Sequence, residues 1–387
     1  MKRLLVPTAV VVGSVLVALL LAEVALRVMG FSAPVWYRPD PQLGWTLRPG
    51  MSAWFTKEGR ALVTVNDQGR RDRETTLYKP EGVYRIVVLG DSYSEAMQVE
   101  REQAYWSLLP QRLASCGFQK GKTVEVLNFG VSGYGTAQEY VMLESQAIRY
   151  RPDLVLLQFT NGNDVGNNSF ALDEEKNRPF YVLERDGRLR VDESFASGRS
   201  FQDSVSWSRE LSRRAADRSR VLQLVRTIRA PAIRKANATN AADPGVEQGL
   251  EPVVLTPPKD RLWKEAWQIT EGLIGMTAEY AKRNGAQFML FTVPYAIQVH
   301  PKRELREALQ AKLGVDDLLY PDRRLAEFGQ KHGIRVLPLA PRMQRIAEER
   351  GVYLHGFEKT GMGRGHWNAE GHRLAAELIA ERLCNEK

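Results

Sequence analysis

Five short apolar runs punctuate the chain, at residues 85–89 (RIVVL), 124–129 (VEVLNF), 153–159 (DLVLLQF), 287–293 (QFMLFTV) and 334–339 (IRVLPL). Each has the length of a strand and is rich in β-branched residues. Apolar positions run almost continuously instead of alternating, the pattern of a strand covered on both faces. Between and after them lie stretches of helical length and amphipathic spacing, at 105–114, 136–148, 262–284, 323–331, 341–350 and 369–383. Strand and helix in alternation predict an α/β fold, a mostly parallel sheet with helices on both sides. Sheets of this kind hold ligands beyond the carboxyl ends of their strands, so candidate chemistry is sought just after each run.

Two stretches interrupt the alternation. Residues 34–82, opening PVWYRPDPQLGWTLRPG, are turn-rich and aromatic and read as an extension packed on the core. From 165 to about 259 an insertion is expected. It holds a hairpin (PFYVLERDGRLRV) turning at Asp186 and Gly187, then a basic helix, then a low-complexity linker, KANATNAADPGVEQGLEPVVLTPP. The expected organisation is therefore a terminal segment 1–33, the extension 34–82, and a catalytic-type α/β domain 83–387 carrying the insertion 165–259. No internal repeat of fixed period is present.

The terminal segment is a candidate membrane anchor. After Lys2 and Arg3, residues 4–22 carry no charge, enough helix to cross a hydrocarbon core of about 30 Å. Signal cleavage after Ala25 would put Glu23 where a small residue is needed, so an uncleaved anchor is expected. Positive residues ahead of the helix place the body on the far, periplasmic side of the membrane. In such an oxidising compartment Cys116 and Cys384 are able to bridge, the alternative being two separate thiols.

The composition, 43% hydrophobic and 26% charged over 387 residues, excludes disordered, collagen-like and multi-span membrane classes. Two cysteines are too few for a disulfide scaffold or a four-ligand zinc site. The net charge of +8 is unevenly placed: between Arg209 and Lys235 stand nine basic residues and two acidic ones, Glu210 and Asp217. Trp207, Leu211, Ala215, Leu222 and Val225 form an apolar stripe at helical spacing there. Two readings stay open: a helix packed on the core with a solvated basic face, or a contact with anionic lipid headgroups or an acidic glycan. Nucleic acid is not an expected partner, because the anchor places this segment outside the cytoplasm.

The residues that follow the strands carry the chemistry. The first run ends in Gly90-Asp91-Ser92-Tyr93-Ser94, a turn that lifts Ser92 to the sheet's rim. A serine hydroxyl needs an adjacent base to act as a nucleophile, and backbone N–H groups suit a developing oxyanion. The second run enters NFGVSGYG, whose glycines permit close backbone approach; the third enters NGND, with a side-chain amide in Asn163. Near the carboxyl terminus His366 opens HWNAEGH, ahead of the last helix and able to reach back to Ser92. His372 is expected on a helix surface with a structural role, and Asp164 as a brace for its loop. His300, His332 and His355 show no metal-ligand spacing, so neither a metal nor a cofactor is expected. The sequence GFQKGKT at 117–123 imitates a phosphate loop but is short and precedes a strand; nucleotide binding is rejected.

These four blocks, in this order, resemble the SGNH (GDSL) hydrolases. The resemblance spans roughly residues 84 to 385 apart from the insertion. It implies a flavodoxin-like three-layer α/β/α fold, Ser92 as nucleophile, His366 as general base, and oxyanion donors at Gly133, Asn163 and the backbone of Ser92. Members usually carry an acid three residues before the histidine, but here that position is Gly363. Three explanations stand: Glu358 folding back, a backbone carbonyl completing a Ser-His dyad, or an inactive site. The activity implied is hydrolysis of an O-acyl ester, in first place acetyl, on an extracytoplasmic glycan or small ester through an acyl-enzyme. The alternatives are an O-acyltransferase acting on a cell-surface polysaccharide and a non-catalytic glycan-binding protein.

Overall fold

A computed structural model of the chain describes residues 2–235 and 252–385. Five strands, β1 (Val83–Leu89), β2 (Thr123–Asn128), β3 (Leu154–Thr160), β4 (Gln287–Val293) and β5 (Arg335–Pro338), form one sheet. They lie in the order β2-β1-β3-β4-β5, and every neighbouring pair is parallel. This is the flavodoxin-like order, with its crevice where β1 meets β3. The principal helices are α1 (Lys2–Val28), α2 (Tyr105–Ser115), α3 (Thr136–Ser145), α4 (Trp207–Arg218), α5 (Arg220–Lys235), α6 (Arg261–Arg283), α7 (Tyr320–His332), α8 (Ala340–Arg350) and α9 (Ala369–Asn385).

Alternate residues of the strands feed two separate cores, as a doubly covered sheet requires. Val87, Leu89, Val155 and Leu157 pack with α3, α6 and α7, for instance against Trp267, Leu273 and Leu325. Ile86, Val88, Leu156 and Phe291 pack on the other side with α2, α8 and α9, against Leu109, Met343 and Leu378. Cys116, at the end of α2, is disulfide-bonded to Cys384 of α9, with 6.2 Å between their Cα atoms.

Residues 34–82 contribute two antiparallel hairpins, Tyr37–Asp40 with Gly44–Leu47 and Ser52–Phe55 with Ala61–Thr64. The loop after them is sewn into the α/β core by buried polar groups. Asp72 accepts the backbone N–H of Asn128 at 2.9 Å, and Asn128 Nδ2 donates to Arg71 O at 3.2 Å. Inside the insertion, Phe180–Leu183 pairs with Leu189–Asp192, and Gly187 takes the positive φ (+82°) that the tight turn needs.

Several expectations are corrected. The basic helix is two helices, α4 and α5, because Ser219 adopts an extended conformation between them. Its apolar stripe is not folded against the core: Trp207 and Leu211 are 78% and 60% exposed. The polar helix Arg303–Leu313 was not anticipated from the apolar pattern, since only Arg306 and Leu309 in it are buried. His372 does not face a helix surface. It is buried, stacked on Tyr105 with its ring edge toward Trp367, and burial pushes its imidazole down to about 3. Most of the low-complexity linker, and the side chains of α5 beyond Ile228, lie outside the described residues.

The helix α1 contains the apolar stretch Val10–Val28, with a mean hydropathy of 2.2 and little of it buried. Among the described residues it is one helix long and apolar enough to cross a membrane, a property an anchor and a signal sequence share.

Candidate active site

The turn after β1 is shaped by what its residues cannot avoid. A side chain at Gly90 would lie 2.4 Å from both Gln158 Oε1 and Ser94 Oγ, so the strand leaves the sheet on a bare backbone. Asp91 caps the following turn, accepting from Tyr93 N at 3.0 Å, and its other oxygen accepts from Asn163 Nδ2 at 3.1 Å. The short helix Ser92–Glu95 ends at Ala96 in the left-handed region (φ 54°). From below, the buried Arg71 of the extension donates to the carbonyls of Glu95, Ala96 and Val99. Asn128 Nδ2 and Trp106 Nε1 both donate to Ser94 O, at 2.9 and 2.7 Å. Nearly every backbone acceptor of this turn is therefore claimed, which holds Ser92 at the mouth of a cavity.

His366 arrives on the strand Gly361–Trp367, which pairs with His355–Phe357. Its Nε2 lies 2.8 Å from Ser92 Oγ, and its Nδ1 lies 2.7 Å from Glu58 Oε2. An ionised carboxylate only accepts, so Nδ1 carries the proton and Nε2 is free to accept from the serine hydroxyl. The Tyr93 ring sits beside the imidazole, centroids 5.0 Å apart. Burial raises the Glu58 pKa, but its hydrogen bond to His366 and the attraction of the imidazolium outweigh this and leave it below the ordinary carboxylate value.

Glu58 occupies the turn of the hairpin made by Ser52–Phe55 and Ala61–Thr64 and was missed in the sequence. Nothing local marks it: it is 308 residues from His366. Two of the three explanations for the missing acid, Glu358 and a backbone carbonyl, give way to this one. Glu358 is exposed, and the Nδ1 partner is a carboxylate, not a backbone carbonyl. Gly363 also shows why the usual acid position is empty. Its φ is +82°, and a Cβ there would lie 2.6 Å from the His300 ring. Gly365, at φ +71°, brings the backbone close beneath Glu58; a Cβ there would be 3.1 Å from Glu58 Oε1.

Ser92, His366, Gly133 and Asn163 all line one cavity of about 510 Å³, so the four predicted site residues are brought together. Gly133 has φ +79°, and a Cβ there would be 3.3 Å from the Trp45 indole. Trp45 Nε1 in turn donates to Ser132 O at 3.0 Å, fixing the glycine loop. The extension adds Trp36, Tyr37, Phe55 and Lys57 to the wall, beside Met97, Pro294 and Tyr295 from the rest of the chain. Under the floor, Glu95 accepts from Tyr37 OH at 2.8 Å and from Ser132 Oγ, while burial pushes its carboxyl up to about 7. Asp164 braces its loop by accepting Thr160 N at 2.8 Å; burial, reinforced by the charge on Asp91, holds its carboxyl well above the ordinary range. Among the described residues no group of three or more His, Cys, Asp or Glu side chains is arranged to hold a metal.

Comparison with known proteins follows the same lines. Residues 88–322 match the GDSL-like lipase/acylhydrolase family. An arylesterase of Vibrio mimicus is 35% identical over 74 residues, 19% of this chain, and the chain spans about a third (35%) of that relative's length. A GDSL-like lipase of Bacteroides thetaiotaomicron is similar at 13% identity and a TM-score of 0.35, over 78% of this chain and 89% of that one. An acetylxylan esterase of Geobacillus stearothermophilus is similar at 11% identity and a TM-score of 0.40, over 78% of this chain and 94% of that one. Because the family match covers more than half of the chain, from β1 to α7, the protein belongs to the GDSL-like lipase/acylhydrolase family.

Proposed function

We propose that the protein is a serine hydrolase of O-acyl esters, working through a Ser92-His366-Glu58 triad and an acyl-enzyme. In this reading His366 Nε2 takes the Ser92 proton as Oγ attacks the acyl carbonyl. Glu58 holds the imidazole in the required tautomer and stabilises the imidazolium that forms. The N–H groups of Ser92 and Gly133 and the amide of Asn163 hold the oxyanion, one such donor typically contributing about 3 kcal/mol. The imidazolium returns its proton to the leaving alkoxide, and water, activated by the same His366, releases the acid. The observation that carries the reading is the unbroken pair of hydrogen bonds, 2.8 Å and 2.7 Å, from Ser92 through His366 to Glu58.

The aromatic wall of Trp36, Tyr37 and Phe55 suits a sugar face or an acyl chain. With α1 read as an uncleaved anchor, the cavity faces an extracytoplasmic substrate, an O-acetylated glycan or a small ester. The V. mimicus relative's name makes aryl acetates the first assay substrates. The test is labelling by a fluorophosphonate probe together with acetate release from aryl acetates and acetylated oligosaccharides. Wild type labels and turns over, and Ser92→Ala does neither; a wild type that never labels would sink the proposal. Acetyl transfer to an added glycan without acetate release would redirect it to an acyltransferase.

A further inference from the structure

The helices α4 and α5 carry a surface that the core does not use. Trp207, Leu211, Leu222 and Ile228 are 78%, 60%, 42% and 65% exposed, and Arg209, Arg214, Arg218 and Arg226 are exposed among them. Amphipathic helices of a globular domain ordinarily turn such apolar residues inward. An exposed tryptophan and leucines interleaved with arginines is the composition of a helix lying in a membrane interface. Nearby acids neutralise the surface only in part. Glu210 is engaged by Arg213 and Arg214, and Asp217 by Arg48.

The position of this surface points to its partner. Glu23, the first charged residue after the uncharged stretch, accepts from the backbone N–H of Arg220 (2.9 Å) and Val221 (3.0 Å) and from Ser219 Oγ (3.0 Å). Arg27 Nη2 donates to Arg218 O at 2.7 Å. The α4–α5 junction is thus fastened to the last turns of α1, just after its uncharged stretch 4–22. The same helices are fastened to the cavity's wall: Ala33 N donates to Gln223 Oε1 at 2.9 Å, three residues before Trp36, and Arg48 grips Asp217 at 2.9 and 2.6 Å.

We propose that α4 and α5 are a membrane-surface platform. Trp207, Leu211, Leu222 and Ile228 enter the headgroup layer of the bilayer crossed by α1, and the four exposed arginines bind anionic phospholipid headgroups. The cavity is thereby held at a fixed height above the membrane. The inference rests on reading α1 as an anchor. Lipid is favoured over an acidic glycan because the surface combines cations with exposed apolar side chains and adjoins the anchor's exit.

The test uses the full chain in nanodiscs of phosphatidylcholine alone or mixed with phosphatidylglycerol. With both native cysteines bridged, Leu211→Cys introduces one reactive thiol, and Leu77→Cys supplies an exposed control. Labelling of position 211 by a sulfonated maleimide is expected to slow roughly tenfold when phosphatidylglycerol is present. It should recover when Arg209, Arg214, Arg218 and Arg226 are all changed to Gln, with position 77 unaffected throughout. Equal rates in the two lipids overturn the platform, and protection conferred only by an added acidic polysaccharide overturns the choice of lipid. Carbonate extraction separates the two readings: a chain washed off the bilayer breaks the anchor, whereas a resistant chain labelled equally in both lipids breaks the platform alone. Fluorophosphonate capture by Ser92 in every sample reports an intact fold.

Discussion

Ser92, Gly133 and Asn163 enter the cavity from the carboxyl ends of β1, β2 and β3, whereas Glu58, Trp36, Tyr37 and Phe55 enter it from two small hairpins outside that sheet. In the first region parallel register does the aligning. Val88 sits opposite Asn128 and Leu89 opposite Leu157, so the loops that follow must converge. In the second region nothing within the hairpins aims Glu58 at His366. Its position depends on the extension's docking, secured by Arg71 beneath the nucleophile turn and Asp72 beneath the end of β2. The Ser92 side is thus a property of the sheet, and the Glu58 side a property of how a separate segment sits on it.

The sharpest way to break this comparison is Glu58→Gln. It keeps the shape but loses the acceptor charge that orients His366, and kcat is expected to fall about 10³- to 10⁴-fold in steady-state ester hydrolysis. Glu358→Gln should leave kcat unchanged. If Glu58→Gln retained wild-type kcat, the acid side would be mere packing.

A smaller effect is expected from Arg71→Met, which preserves bulk but leaves the buried carbonyls of Glu95 and Val99 without their donor and Ala96 O with Val99 N alone. It should destabilise the chain by about 3–5 kcal/mol in denaturant titration. Fluorophosphonate labelling should weaken along with stability, since the same carbonyls belong to the Ser92 turn. Undiminished stability would mean that the extension is only draped over the domain.

The smallest effect concerns pH. Glu95 is raised by burial from its ordinary 4.5 to about 7, so the folded state binds its proton more tightly than the unfolded chain. The stability it contributes is fully present below about pH 4.5 and is lost as pH rises through about 7. Glu95→Gln removes that dependence, so the drop in Tm from pH 5 to pH 8 should be smaller than in wild type. An identical drop would show that Glu95 stays ionised in the fold.

Legibility in the sequence follows the same division. The strand runs and the residues after them were readable because a doubly covered strand writes its burial into consecutive apolar positions. The cavity then gathers Ser92, Gly133, Asn163 and His366 as anticipated. Glu58 was not readable, because a carboxylate in a hairpin turn looks like any solvated charge. The stripe from Trp207 to Val225 misled in the opposite direction. Its helical spacing was real, but amphipathic spacing records only that a face prefers an apolar setting, and it does not say whether that setting is a core or a bilayer surface.

By itself the sequence determined the strand runs, the helices between them and the loops that follow, since a doubly covered strand writes its burial into consecutive apolar positions wherever the chain goes. Only the tertiary structure decided which carboxylate completes the constellation. Glu58 is chosen by distance to His366 Nδ1 across 308 residues, and the usual position is closed because His300 fills the space that a side chain at Gly363 would need.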